Sequence, residues 1–335
     1  MIDPAFPLVE LHRHLDGSIR LQTILELGLA HNLPLPARDL EGLRPFVQVT
    51  EPQPGVVAFL QRFEWMTRIL VNLDACRRVA YENVEDASLE GIDYIELRFS
   101  PWFMAERNNL DPAGVTEAVV DGVRAGARDT GIQVNLIGIL SRTYGPHSAR
   151  HELNALLTQR DAITGLDLAG DEANWRAELF VEHFRVARDA GWRVTVHAGE
   201  IDGPQSIWQA LNRLGAERIG HGIRAVEDPA LIDHLRDRRI PLEENLTSNL
   251  QTSCVPDYAS HPVKYFMQEG LCATLNTDDP GISAIDLAYE YNVAAPAAGL
   301  TPEMIHQAQR NALEAAFLTV EEKKGLMEKK ATPYG

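Results

Sequence analysis

Eight short apolar runs, separated by helical patterns, divide this chain. Most runs are rich in valine, isoleucine and leucine without strict alternation, which is typical of strands buried on both faces. The predicted strands are residues 8–12, 93–98, 133–140, 163–168, 193–197, 217–221, 240–244 and 272–276. Because strand and helix alternate eight times, we predict an α/β fold of the (β/α)8 TIM-barrel type.

Helical patterns fill the intervals between these runs. Asp111-Pro112 has the form of an N-cap followed by proline in the first turn, and apolar residues then recur on one face as far as Ala127. A second apolar stripe lies in residues 207–214, and Thr301-Pro302 begins a late helix. These patterns predict the helices that cover a parallel barrel.

The first crossover, residues 19–92, is longer than the others. Its segment Val56–Ala87 has helical periodicity, so we expect extra helices over the barrel mouth. No repeat, low-complexity tract or Gly/Ser linker divides the chain, and barrels of this type often exceed 250 residues as one unit. We therefore predict a single domain over residues 1–335.

Composition restricts the partners and the location. With 31 basic and 48 acidic residues the formal net charge is −17, which disfavours nucleic acid and favours a neutral or cationic small substrate. Three cysteines without Cys-x-x-Cys spacing argue against a disulfide framework or a cysteine-based zinc site. No apolar stretch approaches the roughly 18 residues of a membrane span, so we expect a cytoplasmic protein without a membrane partner. The oligomeric state is not indicated.

Residues with metal-binding or proton-transfer chemistry lie at the carboxyl ends of four of the apolar runs. They are His12, His14 and Asp16 at the end of the first run, His197 and Glu200 at the fifth, His221 at the sixth, and Asp278 and Asp279 at the eighth. Two imidazoles on one face of an extended strand can share a metal ion. Since active sites of TIM barrels lie at the carboxyl ends of the strands, these side chains are expected to meet.

Four of these residues form a predicted metal site, and the others are left for proton transfer. Three neutral imidazoles and one carboxylate leave a divalent ion with net positive charge, which favours a bound hydroxide. Zinc fits nitrogen-rich ligation best, although iron, cobalt and manganese are compatible with these ligand types. The four are His12, His14, His197 and Asp278.

The same segments carry a family resemblance. In combination they resemble the signature set of the adenosine deaminases, most closely the bacterial members, within the adenosine/AMP deaminase superfamily of metal-dependent hydrolases. The resemblance extends from about residue 8 to 318. The matching segments are Leu11-His12-Arg13-His14-Leu15-Asp16-Gly17, His197-Ala198-Gly199-Glu200, Arg218-Ile219-Gly220-His221-Gly222 and Asn276-Thr277-Asp278-Asp279-Pro280.

This resemblance implies zinc-dependent hydrolysis of adenosine, and of 2′-deoxyadenosine, to the inosine product and ammonia in purine salvage. It implies one zinc ion per subunit, held by the four residues above, whose bound water attacks purine C6. By the same resemblance, His221 assists deprotonation of that water or stabilises the developing oxyanion, and Glu200 gives a proton to ring nitrogen N1.

Substrate contacts also follow from the resemblance. Asp16 corresponds to a hydrogen bond with the ribose 5′-hydroxyl, Gly170 to a backbone contact with N3, and Asp279 to a contact with N7, while the ligand His14 borders the substrate. Because N1 and N7 are acceptors, Glu200 and Asp279 must each hold a proton when substrate is bound. We expect burial to raise the pKa of Glu200 enough for this, with closure over the substrate contributing.

Alternative functions share much of this pattern. Adenine and aminofutalosine deaminases resemble the chain in their metal motifs but carry glutamate where Asp16 stands. Asn245 departs from many relatives, which have cysteine there. A two-metal amidohydrolase would need a bridging lysine after a middle strand, where Gly170-Asp171-Glu172 has none. An inactive purine-binding protein should have lost a ligand or the proton donor, and none is lost.

Other polar residues are interpreted as structural. Arg13 faces away from the metal side of its strand and is expected to support the fold. Seven further histidines lie off the strand ends and are expected at the surface: 31, 147, 151, 183, 234, 261 and 306.

Overall fold

The computed structural model describes residues 1–49, 51–53, 59 and 61–331. Within these residues eight parallel strands pair in chain order, which confirms the (β/α)8 barrel. The strands are β1 (Val9–His14), β2 (Tyr94–Phe99), β3 (Gln133–Ser141), β4 (Ile163–Ala169), β5 (Arg193–Ala198), β6 (Arg218–His221), β7 (Leu242–Glu244) and β8 (Ala273–Leu275).

The barrel closes between β1 and the residues that follow β8. The backbone N–H of His14 donates to the carbonyl oxygen of Asp278 at 2.8 Å, and the N–H of Asp278 donates to that of His12 at 2.9 Å. Arg13 is the register partner of Asp278. The closing hydrogen bonds therefore involve three of the four predicted metal ligands.

Helices occupy the intervals between the strands. The α-helices are Leu21–Ala30, Leu40–Val47, Phe63–Arg68, Leu73–Leu89, Pro101–Glu106, Pro112–Thr130, Gly145–Leu157, Val181–Asp189, Pro204–Gln209, Pro229–Arg238, Leu246–Gln251, Val263–Gln268, Pro280–Ser283, Leu287–Tyr289, Ala295–Ala297, Pro302–Ala315 and Val320–Ala331. π-Helical turns extend two of them, at Ala210–Leu214 and Glu290–Ala294. Short 3₁₀ turns are Arg142–Tyr144, Arg160–Ala162, Ala177–Phe180, Ile223–Glu227 and Tyr258–Ser260.

The capping signals read from the sequence mark real helix starts. The side chain of Asp111 accepts from the N–H of Ala113 at 3.3 Å and precedes Pro112–Thr130. The side chain of Thr301 accepts from the N–H of Met304 at 3.4 Å. Each cap satisfies a backbone donor that has no partner within its helix.

The first crossover contains extra helices, as predicted, but not all of them lie over the barrel mouth. Phe63, at the start of Phe63–Arg68, lines the cavity at the barrel mouth. The longer helix Leu73–Leu89 instead packs on Pro112–Thr130, where a Cβ at Gly122 would lie 2.3 Å from a backbone oxygen. In the predicted segment Val56–Ala87, residues 56–58 and 60 lie outside the described part.

Buried side chains lie on both faces of the barrel strands, apolar ones on the outside and polar ones on the inside, as β1 illustrates. On the outside of β1, Val9 and Leu11 belong to a buried cluster with Ala312 and Leu326 of the last two helices. On the inside, the same strand presents Glu10, His12 and His14, all buried. Among the described residues, no helix is long and apolar enough to cross a membrane.

Candidate active site

A cavity of about 300 Å³ opens at the carboxyl ends of the strands. One wall is apolar and includes Phe59, Phe63 and Phe103. The predicted site residues that line the cavity are His14, Asp16, Gly170, His197, Glu200, His221, Asp278 and Asp279. The structure therefore brings these predicted residues together in one space of the size of a small ligand.

Four side-chain atoms at the cavity floor lie at the spacing of metal ligands. His197 Nε2 is 3.1 Å from the Nε2 atoms of both His12 and His14. Oδ1 of Asp278 is 3.2 Å from His12 Nε2 and 3.3 Å from His14 Nε2. A tetrahedral ion with bonds of 2.0–2.1 Å holds its ligand atoms about 3.3 Å apart. This donor set fits one such ion without rearrangement.

Buried carboxylates orient two of the imidazoles. His12 Nδ1 donates to Glu243 Oε2 at 2.7 Å, and His197 Nδ1 donates to Asp167 Oδ2 at 2.9 Å. Each bond keeps the ring proton on Nδ1 and leaves Nε2 free as a ligand, which is the usual arrangement around metal-binding histidines. The sequence interpretation did not assign these carboxylates.

The carboxylates are in turn paired inside the barrel. Arg98 donates to Asp167 and to Glu243, both at 2.8 Å, and Arg218 Nε donates to Glu243 at 2.7 Å. All four side chains are fully buried or nearly so. The arginines hold the pKa of Glu243 well below its usual value. The presence of charged residues inside apolar strands could have indicated such buried pairs. Which residues pair, however, depends on contacts across the barrel.

His221 lies beside the four ligand atoms rather than among them. Its Nε2 is 3.8 Å from both Glu200 Oε2 and Asp278 Oδ2, and a ring nitrogen comes within 4.8 Å of ligand atoms of His12 and His197. The shorter distances of His14 to the other donors favour His14 as the fourth ligand. His221 therefore faces the space next to the metal position.

Glu200 is held by the loop that follows β5. The Glu172 carboxylate accepts from the backbone N–H groups of residues 199, 200, 201 and 202, at 2.5, 3.2, 2.9 and 3.1 Å. Burial first, then the charges of Asp278 and Glu172, raises the pKa of Glu200 well above its usual value. A bound cation would offset the part of this pKa increase that comes from the charge of Asp278. A raised pKa agrees with a carboxyl group that keeps its proton.

Asp279 is a second buried carboxyl with a free oxygen. Among the residues that the structure describes, its Oδ1 has no hydrogen-bond partner. Burial, followed by the charge of Asp278, raises the pKa of Asp279 well above its usual value. Gly17 allows this approach, because a Cβ there would lie 1.7 Å from Oδ1 of Asp279.

Asp16 and Gly170 line the cavity away from the metal position. Oδ2 of Asp16 accepts from the N–H of Ser100 at 3.3 Å, and burial raises the pKa of Asp16 to about 7. Gly170 has a φ of +107°, and a Cβ there would lie 2.4 Å from Thr143 Oγ1. Only glycine fits this position, which brings backbone close to the cavity.

The predictions for residues outside the site are confirmed in part. The guanidinium of Arg13 pairs with both oxygens of Glu90 at 2.9 and 2.7 Å, which confirms its structural role. The expectation that the remaining histidines lie at the surface is wrong for His183 and His261, which are buried. The ring of His261 is buried because it pairs with Asn249, which lies in the helix Leu246–Gln251 after β7.

Comparison with known proteins shows the family to which the chain belongs. The family model described as adenosine deaminase matches residues 7–333. Curated proteins named adenosine deaminase from Escherichia coli O1:K1 and Shigella boydii serotype 18 are 57% identical over 331 residues, covering 99% of this chain and 99% of theirs.

Solved structures agree in fold. Adenine deaminase from Arthrobacter aurescens has a TM-score of 0.89 at 25% identity, covering 97% of this chain and 98% of that one. A zinc-bound amidohydrolase from Burkholderia ambifaria has a TM-score of 0.88 at 28% identity, covering 98% and 90%. The N6-mAMP deaminase of Arabidopsis has a TM-score of 0.83 at 26% identity and 98% coverage of both chains.

Proposed function

The chain belongs to the adenosine deaminase family and hydrolyses adenosine to inosine and ammonia; we propose that it does so with one bound zinc ion. The observation that carries this proposal is the 3.1–3.3 Å spacing of four donor atoms, which suits a single tetrahedral ion. The zinc in a relative of 28% identity supports the choice of metal. The proposed ligands are His12, His14, His197 and Asp278.

When bound, zinc would lower the pKa of water toward 7 and so supply a nucleophile near neutral pH. The protein groups would direct the addition of this water to C6. We propose that Glu200 donates its proton to N1 as the oxygen adds, and that His221 contacts that oxygen. The hydroxyl proton at C6 then passes to the amino group, the C6–N6 bond breaks, and ammonia leaves. Inosine keeps the proton at N1, and the proton lost by the next water restores Glu200.

The remaining groups are proposed to orient the nucleoside. Asp279 in its protonated form would donate to N7, because its Oδ1 is buried without a partner among the described residues. The N–H of Gly170 would donate to N3, and Asp16 would bind the ribose 5′-hydroxyl beside His14. These contacts need no groups beyond those that line the cavity.

The experiment follows the loss of adenosine absorbance on conversion to inosine, with and without a chelator. We expect turnover that stops on chelation and returns with zinc, and one zinc per chain. Turnover of adenosine, 2′-deoxyadenosine and adenine is compared in parallel. Adenine as the preferred substrate would contradict the role of Asp16, and a metal ratio near two would contradict the mononuclear site.

The cellular setting is also a proposal. We propose that the enzyme acts in the cytoplasm on free nucleosides, without a nucleic-acid partner, because a net charge of −17 repels polyanions. We expect that the protein does not bind to immobilised nucleic acid at low salt.

A further inference from the structure

A row of buried polar groups leads away from the active site behind His221. Asn249 Nδ2 lies 3.0 Å from His221 Nδ1, and Asn249 Oδ1 lies 3.1 Å from His261 Nε2. The row ends where the backbone N–H of Val263 meets His261 Nδ1 at 3.2 Å. His221, Asn249 and His261 are 1%, 0% and 3% exposed, so water does not compete for these bonds.

The backbone end of the row sets the direction of every bond in it. A backbone N–H can only donate, so His261 Nδ1 accepts from Val263. Burial lowers the pKa of His261 to about 3, so the ring is neutral and carries its proton on Nε2. That N–H donates to Asn249 Oδ1, which turns the amide nitrogen of Asn249 toward His221. The His221 Nδ1 atom is therefore an acceptor.

Neighbouring groups do not oppose this direction. The amide nitrogen of Asn245 lies 3.3 Å from the same Nδ1 atom and 3.5 Å from Nε2, so this donor too is nearer to the accepting nitrogen. Glu244 is the acidic group near the other histidine, with Oε2 at 3.7 Å from His261 Nε2. This distance is beyond a hydrogen bond, and burial raises the pKa of Glu244 well above its usual value, which favours the uncharged carboxyl.

We infer that Asn249 and His261 are positioning residues that fix neutral His221 in the Nε2–H tautomer. In this form Nε2 faces the metal side of the cavity as a donor and has no free lone pair. His221 then donates a hydrogen bond to the oxygen that adds to C6 and does not remove its proton. The inference rests on the proposed function and decides between the two roles that the family resemblance implies for His221.

The direct test is ¹⁵N NMR of the zinc-loaded enzyme labelled in histidine, with His221 assigned by substitution. Protonated and unprotonated ring nitrogens give well-separated shifts. We expect His221 to show an unprotonated Nδ1 and a protonated Nε2 in the resting enzyme. A protonated Nδ1, alone or together with Nε2, would overturn the inference, whatever the turnover of adenosine.

Three variants test whether the row matters for the reaction. His261→Ala removes the donor to Asn249 and should give a mixture of His221 tautomers, with kcat lower by about tenfold and KM within about twofold. His261→Gln keeps an N–H near the position of Nε2 and should restore both the spectrum and kcat. His183→Ala, at another buried histidine, is the matched control and should change neither.

The outcomes separate this inference from the proposed function. If His261→Ala lowers kcat without a change of His221 tautomer, or changes the tautomer without lowering kcat, the positioning role is wrong. The same holds if His261→Gln is as impaired as His261→Ala. Failure of the wild-type enzyme to deaminate adenosine would instead overturn the proposed function, and the tautomer measured by NMR would stand on its own.

Discussion

Two functional side chains are carried by backbone that most residues avoid. His221 has a φ of 62° and Asp278 a φ of 64°, both in the left-handed region where a non-glycine residue costs on the order of 1 kcal/mol or more. At Asp278 the hydrogen bonds that close the barrel hold this conformation. His221 is the last residue of β6 and Asp278 lies three residues beyond β8, and both side chains line the cavity.

Glu200→Gln tests the proton donor. We expect kcat to fall at least about 100-fold, because an amide cannot supply the proton for N1. The wild-type carboxyl has a raised pKa, so its share of stability is complete below the unfolded value of 4.5 and is lost as pH rises through the folded value. The variant should therefore gain thermal stability relative to wild type as pH rises above about 5. Near-normal turnover would exclude the proposed role.

Asp16→Ala tests the ribose contact. The KM for adenosine should rise about tenfold or more, because a buried hydrogen bond to the 5′-hydroxyl is lost, while zinc content stays at one per chain. Steady-state kinetics and metal analysis measure the two effects separately. Loss of zinc would show instead that Asp16 supports His14, whose Nδ1 lies 3.8 Å from Asp16 Oδ1.

At the scale of elements, the loop after β5 depends on one carboxylate. Glu172→Gln replaces an acceptor oxygen by an NH2 group that faces backbone N–H donors of residues 199–202. We expect kcat to fall about tenfold as Glu200 loses its position, and hydrogen exchange to accelerate at these four amides. The exposed Glu178→Gln is the control. Unchanged exchange would mean that other contacts hold the loop.

Strand ends were predictable because they combine two local signals. An apolar run followed by histidine or aspartate, as at His197 and Asp278, carries both fold and chemistry in consecutive residues. The groups that orient the metal ligands were not predictable in the same way. Glu243 and Asp167 act through partners on other strands. Buried His261 pairs with Asn249 of the helix Leu246–Gln251. Such partners follow from the closed barrel and not from local spacing.

At the scale of the whole molecule, the barrel interior is an ion-pair network rather than an apolar core. Arg98 reaches β4 and β7 through Asp167 and Glu243, and Arg218 joins Glu243 to Glu96 on β2. Removing one member of a buried ion-pair network leaves the charge of its partner buried and unpaired, which destabilises the fold. The network connects the fold to the metal site, because Glu243 and Asp167 also hold His12 and His197.

Acid stability depends on a histidine that the fold keeps neutral. The folded pKa of His261 is about 3, below the unfolded value of 6.5, so its share of stability is present above pH 6.5 and is lost as pH falls. Between pH 6.5 and pH 5 this loss is about 2 kcal/mol. His261→Gln should therefore melt closer to its neutral-pH temperature at pH 5 than wild type does. Parallel pH profiles of the two proteins would contradict this.

Metal removal tests the site and the predicted single domain together. Zinc at about 100 times its Kd stabilises the folded chain by about 2.7 kcal/mol. For a chain of 335 residues this corresponds to roughly 4 °C, because the entropy of unfolding is about 0.7 kcal/mol/K. Chelation should lower the melting temperature by this amount, and added zinc should restore it. A single domain over residues 1–335 should unfold in one transition with and without zinc. No shift on chelation would contradict the four-ligand site, and two transitions would place a domain boundary inside the chain.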